Sequence, residues 1–316
     1  MSQPTHETSV LKQRHETAPT RFVEVNGIQF AYRRFGRGLG IPLLFCQHFT
    51  GTMDNWNPII TNTLTQRREV ILFDNRGIGS SAGQTPHSVQ AMATDALAFV
   101  DALGLKQIDL LGFSLDGMVA QQMVLDRPEL VRHLILAGTG PEGGEGIDMG
   151  GFLPSSAVLA DASLSRFDRQ QRLFFAPTET SQAAGRAFSE RKSWRKDDRD
   201  PEASPANANA QTAAIKSWGQ QKKGERYGRL KEIKRPTLVF NGIDDVMVPT
   251  INSYILARDI PDARLVLYPD SGHGALLQYS DQFCAEVNAL LVKTVNLTTI
   301  DADASALRAD QAAAER

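Results

Sequence analysis

From residue 41 onward, short and wholly apolar runs alternate with longer stretches of helical character, and this alternation restricts the fold more than any other feature of the chain. Residues 41–46, 70–73, 108–112, 134–137, 237–240 and 265–268 are brief and continuous in hydrophobicity, as strands buried on both faces must be. Between them, residues 89–103, 118–126, 251–259 and 276–292 carry helical patterns. Strands separated by helices predict an α/β fold with a mostly parallel twisted sheet covered on both faces. Right-handed crossovers then gather the loops that follow the strands along one edge, where ligands bind in such sheets. Residues 23–32 add an antiparallel opening, because alternating apolar positions flank Asn26-Gly27, a dipeptide suited to a tight hairpin turn.

The alternation breaks after Ala137. Gly138, Gly140, Gly143, Gly144, Gly146, Gly150 and Gly151 follow, and no strand pattern returns before Thr237. The interval holds helix-like pieces with Phe174, Phe175, Phe188, Trp194 and Trp218, and it is too long for a plain loop in a compact domain. It reads as a helical lid over 141–229, inserted late in a core made of 21–140 and 230–295. Residues 1–20 read as a flexible tail without periodicity, and 296–316 as an Ala- and Asp-rich second tail. The net charge of −2 over 316 residues argues against nucleic acid or an anionic membrane as partner, since both need a basic excess. No run approaches the ~20 apolar residues that span a bilayer, and the first twenty residues lack the apolar centre of a signal peptide. The expectation is a cytoplasmic protein acting on a small molecule, with its oligomeric state left open. Cys46 and Cys284 stand alone, and the six histidines occupy no metal-ligand spacing, so neither a metal nor another cofactor is expected.

Three loops carry chemistry. Gly112-Phe113-Ser114 joins a buried strand to a helix, a junction whose sharp turn lifts a serine hydroxyl above the sheet. The following helix aims its N-terminus at that point, so the Leu115 N–H faces any developing oxyanion. Asn241-Gly242-Ile243-Asp244-Asp245 and Pro269-Asp270-Ser271-Gly272-His273-Gly274 follow two later strands on the same edge. A serine needs a neutral imidazole to take its proton, and the imidazole needs a carboxylate to hold its tautomer. His273 supplies the first, and either Asp244 or Asp245 can supply the second.

With these loops in the order Ser, Asp, His, the chain resembles the serine-nucleophile branch of the α/β-hydrolase fold family. The elbow pattern G-x-S-x-G is met at Gly112 and Ser114 and departs at Asp116. The resemblance implies Ser114 as nucleophile and His273 as base, and selects Asp245 as the acid because it stands four residues before Pro249. Gln47-His48-Phe49 resembles the oxyanion loop, with Gln-His where His-Gly is usual, and implies the Phe49 N–H as second donor. Asp74-Asn75-Arg76-Gly77 resembles another loop of the family, with Arg76 as a bracing residue. A dinucleotide site on Gly77 and Gly79 is disfavoured, since Gly83 and Pro86 delay the helix it requires.

The activity implied is hydrolysis of a small, largely apolar carboxylic ester or lactone through an acyl-enzyme. Perhydrolysis of the haloperoxidase-like kind, carbon–carbon hydrolysis or lyase chemistry on the same three residues, and a ligand-binding protein with weak or no activity are the alternatives. An ionised Asp116 would favour the helix start by ~0.3–1 kcal/mol. It would also oppose an oxyanion ~7 Å away by roughly 2 kcal/mol, and the expectation is that its side chain points elsewhere.

Overall fold

The computed structural model of the protein describes residues 13–38, 40–147, 157–158, 160–221 and 223–292. Strands β1 (Arg21–Val25), β2 (Ile28–Gly36), β3 (Leu43–Cys46), β4 (Glu69–Phe73), β5 (Ile108–Phe113), β6 (Val131–Ala137), β7 (Thr237–Gly242) and β8 (Ala263–Tyr268) form one sheet in the order 1-2-4-3-5-6-7-8. β2 runs antiparallel to β1 and β4, and every other pairing is parallel. At the β1–β2 hairpin, Asn26 and Gly27 both take positive φ (51° and 79°), the backbone that matches strand twist across a two-residue turn.

Helices α1 (Pro58–Leu64), α2 (Val89–Ala102), α3 (Leu115–Asp126), α4 (Arg166–Phe174), α5 (Glu179–Lys192), α6 (Pro205–Gly219), α7 (Ile251–Asp259), α8 (Ala275–Gln278) and α9 (Ser280–Val292) accompany the sheet. Two apolar layers result. Leu44, Leu110 and Leu136 point into the layer under α2 and α3, while Phe45, Leu111 and Ile135 point into the layer under α1 and α9. Neighbouring strand residues thus serve opposite faces, and β4 and β5 are buried along their whole length.

Several boundaries differ from the sequence reading. α1 was not anticipated: seven residues with two Ile and two Thr carry little helical periodicity, although Asn57 caps it and Pro58 opens it. α3 begins at Leu115 rather than 118, directly on the elbow. The helix expected over 276–292 is two helices, broken at Tyr279, whose hydroxyl donates to the Pro269 carbonyl. Residues 13–20 are not a loose tail. Ala18 is fully buried and His15 nearly so, with the His15 ring against the Thr61 hydroxyl at 3.2 Å. Residues 1–12 and 293–316, and with them the tail expected at 296–316, lie outside the described residues.

Between β6 and β7 the described residues form the helices α4, α5 and α6, joined by turns and irregular stretches. The stretch after α5 is tied to the sheet by a buried ion cluster. Arg33 of β2, fully buried, donates to Asp54 at 2.6 Å and to Asp200 at 3.0 Å. The Asp200 N–H donates to Asp54 at 2.8 Å, and the Ser80 hydroxyl donates to Asp200 at 3.0 Å. Charges out of water need such mutual pairing to be tolerated. Four segments far apart in sequence are thereby held at the carboxyl edge.

Candidate active site

Ser114 sits between β5 and α3 with φ 57° and ψ −120°, a conformation that costs a non-glycine residue on the order of 1–3 kcal/mol. Surrounding contacts hold it there: its N–H donates to the Ala137 carbonyl at 2.9 Å, and the Gly117 N–H returns to its own carbonyl at 2.9 Å. Gly112 makes the turn possible, since a Cβ there would lie 2.4 Å from the Asp116 carbonyl oxygen. Gly117 does the same for the loop after β6, where a Cβ would strike the Thr139 side chain at 2.6 Å.

The structure brings the three expected side chains into one line. His273 Nε2 lies 2.8 Å from Ser114 Oγ, and His273 Nδ1 lies 2.9 Å from Asp245 Oδ2. The other oxygen of Asp245 accepts from the N–H groups of Met247 and Val248 at 2.8 and 3.0 Å. Asp244 is exposed and is not part of this line. A buried carboxylate on Nδ1 requires that nitrogen to carry the proton, which leaves the Nε2 lone pair facing the serine. The glycines around His273 have a steric cause. The end of α4 lies over them, the Gly274 N–H donates to the Phe174 carbonyl at 2.8 Å, and a Cβ at Gly274 or Gly272 would approach that carbonyl group to 3.0–3.1 Å.

Aromatic rings enclose the histidine. Phe113 and Phe174 lie 5.1 and 5.2 Å from its ring, and His48 packs edge-on against both at 5.4 Å. His48 Nδ1 donates to the Phe49 carbonyl at 2.8 Å, and burial lowers its pKa to about 3, so its ring is neutral.

In the loop after β3, almost every N–H is occupied. His48 donates to the Gln47 side chain, Thr50 to Gln211 Oε1 of α6 at 2.7 Å, and Gly51 to the His48 carbonyl. Among the described residues the N–H groups of Phe49 and Leu115 have no hydrogen-bond partner, which leaves both available to an anionic oxygen. Thr50 holds φ 55°, and a Cβ at Gly51 would meet Gln47 Cγ at 2.4 Å, so the loop is tightly folded on itself.

Asp116 is buried completely. Its Oδ2 accepts from Asn75 Nδ2 at 2.7 Å, with the Gln47 N–H adding to this, while Oδ1 has no partner. Burial outweighs these donors and raises its pKa to about 8. At neutral pH the group is therefore a carboxylic acid, and the repulsion expected of an ionised Asp116 is absent below that value. Arg76 braces its loop, donating to the Gln84 carbonyl at 2.9 Å and reaching Asp95 at 3.4 Å.

Sequence reasoning did not find Phe174, Gln211 or Asn75 as neighbours of the site. Each arrives from a distant segment, and none carries a local signal. Among the described residues no group of three or more His, Cys, Asp or Glu side chains could hold a metal ion, and no helix is long and apolar enough to cross a membrane.

A fold with this strand order and a serine at such an elbow defines a hydrolase scaffold. The family model of the alpha/beta hydrolase fold matches residues 41–278, and the chain belongs to that family. An alpha/beta hydrolase fold protein from Chitinophaga pinensis is 41% identical, with a TM-score of 0.83 over 89% of this chain and 99% of its own. The putative carbamate hydrolase RutD of Agrobacterium fabrum is 26% identical over 247 residues, covering 76% of this chain and 89% of its own. An enzyme described as degrading N-acyl homoserine lactones shares the fold at 24% identity, with a TM-score of 0.67 over 85% of this chain and 99% of its own.

Proposed function

We propose that this hydrolase-family chain is a serine hydrolase that cleaves a small, largely apolar carboxylic ester or lactone through an acyl-enzyme. The single observation that carries the reading is the Ser114–His273–Asp245 line, 2.8 and 2.9 Å between partners, at a strained strand-to-helix turn. His273 takes the serine proton through Nε2 as Oγ attacks the carbonyl carbon. Asp245 holds the resulting imidazolium. The Leu115 and Phe49 N–H groups receive the oxyanion, and His273 then returns the proton to the leaving oxygen. Water, activated by the same imidazole, releases the acid. Helices α4–α6 act as the lid, with Phe174 against the His273 ring and Gln211 holding the Thr50 N–H of the loop after β3.

A carbamate is the second candidate substrate, favoured by the name of the curated relatives; it places a nitrogen beside the same carbonyl and uses the same steps. The protein is proposed to act in the cytoplasm on a diffusible small molecule, without nucleic acid or membrane as partner. The test is covalent labelling by a fluorophosphonate probe with peptide mapping. Labelling of Ser114 that is lost in His273→Ala supports an activated serine, and esters, lactones, carbamates and peroxide then sort the acyl chemistry. A folded wild-type protein that resists the probe overturns the proposal.

A further inference from the structure

One face of α6 crosses the carboxyl edge of the sheet. Asn207, Gln211 and Trp218 are spaced i, i+4 and i+11, which keeps all three within about 40° of one direction around the helix. Each makes a polar contact with a different strand-end loop. Asn207 Nδ2 donates to the Gly77 carbonyl after β4 at 2.9 Å. Gln211 Oε1 accepts from the Thr50 N–H after β3 at 2.7 Å, and Trp218 Nε1 donates to the Gly140 carbonyl after β6 at 3.2 Å. β5 lies between β3 and β6, so the part of α6 between Gln211 and Trp218 runs beside the Ser114 elbow. Ala214 and Ile215 share an apolar layer with Leu115 there.

The contact with Thr50 differs from the other two in what it controls. Gln211 is fully buried. A backbone N–H can only donate, so this bond fixes the side-chain amide with its oxygen toward Thr50. Its Nε2 has no partner among the described residues. On the loop side, the Phe49–Thr50 peptide is held twice: its carbonyl accepts from His48 Nδ1 at 2.8 Å, and its N–H goes to Gln211. The first restraint comes from within the loop, the second from α6, 161 positions away. Thr50 sits at φ 55°, a backbone that a β-branched residue keeps only where its neighbours enforce it. The Phe49 N–H, on the preceding peptide, turns with that backbone.

From these contacts we infer that Gln211 is a positioning residue for the oxyanion hole. By holding the Thr50 N–H it fixes the direction of the Phe49 N–H, so the hole is complete only with α6 seated on the sheet edge. The inference deepens the serine-hydrolase reading and rests on it. Gln211 acts through the backbone of Thr50 rather than on the reacting atoms. Its loss leaves Ser114, His273 and Asp245 in line and misdirects one of the two donors. Binding of a tetrahedral adduct should therefore weaken, and binding of an uncharged ground-state ligand should not.

The ketones 1,1,1-trifluoroheptan-2-one and heptan-2-one separate these two states. Ser114 Oγ adds to the fluorinated carbonyl carbon, the serine proton passes to His273 Nε2, and the carbonyl oxygen becomes the oxyanion facing Leu115 and Phe49. Heptan-2-one binds without forming the adduct. Calorimetry gives the affinity advantage of the fluorinated ketone. It should fall about tenfold to a hundredfold in Gln211→Met and in Gln211→Ala, the range for a displaced oxyanion donor. Heptan-2-one affinity should stay within about threefold, which also shows a folded pocket. Asn207→Ala loosens α6 one turn away without touching Thr50, and should keep the advantage within about threefold of wild type. An advantage retained in both Gln211 variants, or lost equally in Asn207→Ala, overturns the positioning role and leaves the hydrolase reading intact. No advantage in the unsubstituted protein, or one that survives Ser114→Ala, overturns the hydrolase reading and this role with it.

Discussion

Replacing Asp116 by asparagine should stabilise the protein at neutral and alkaline pH, by an amount set by the displaced pKa of the carboxyl. In the folded protein that pKa is about 8, against ~3.9 in an unfolded chain. Between those values the folded state keeps a proton that the unfolded state has released. Stability therefore falls as pH rises, by about 1.4 kcal/mol per unit. The contribution is fully present below pH 4 and is lost as pH climbs through the folded value. At pH 7 the interval traversed is about three units, or roughly 4 kcal/mol.

Asparagine carries no such dependence. Its oxygen can keep the bond from Asn75, and its amide stands where the carboxyl proton stands on the unpartnered oxygen. The gain over wild type should thus be small at pH 4.5 and approach 4 kcal/mol at pH 7, or on the order of 8 °C in Tm for a chain of this size. Urea unfolding of both proteins at pH 4.5, 7 and 8.5 measures it. A difference that stays constant across the three pH values, or an asparagine variant that is less stable at pH 8.5, would refute the reasoning. Activity offers a second reading of the same titration. Above pH 8 an ionised Asp116 about 7 Å from the oxyanion should slow acylation on the order of 30-fold, and the asparagine variant should lack that alkaline decline.

Other outcomes follow from named contacts. Arg33→Met strands Asp200 without its cation, leaves Asp54 only the 3.8 Å contacts to Arg195 and Arg199, and should cost about 3–5 kcal/mol, read as a shift in the urea midpoint; an unchanged midpoint would count against the ion cluster as an anchor. Gly112→Ala drives a methyl group against the Asp116 carbonyl. It should cost about 1–3 kcal/mol in unfolding experiments and lower kcat on the order of 100-fold by displacing Ser114. Asp245→Asn should keep the protein folded yet lower kcat by roughly 10,000-fold with little change in KM. Steady-state kinetics on an accepted ester would show this, and a loss below tenfold would remove Asp245 from the proposed mechanism.

The strands and the reactive loops were legible in the sequence because both are local signals. A strand buried on two faces must be apolar throughout, so β3 to β7 stand out by hydrophobicity alone, and the Asn26-Gly27 turn by its φ requirement. β8 reads as such a strand as well, but it is the edge strand and is only partly buried, with Leu267 exposed. Ser114, Asp245 and His273 are readable because each closes a strand on the same edge. Parallel topology places such loops together whatever their separation in sequence. The choice of Asp245 over Asp244 needed the resemblance, since adjacent aspartates look alike until burial separates them.

What the tertiary structure decided is everything set by desolvation and long-range contact. Asp116 reads as an anion at a helix start in the sequence, and only its complete burial between Asn75 and the loop after β3 makes it a neutral acid. The closure of Phe174 over His273 explains the glycines on either side of the histidine, and no pattern at residues 272–274 reveals that partner. Gln211 reaches Thr50 across 161 positions, and Asp200 reaches Arg33 across 167. Local periodicity reports which face of an element is apolar. It does not report which distant element covers that face, and the charge state of a buried group depends on that covering.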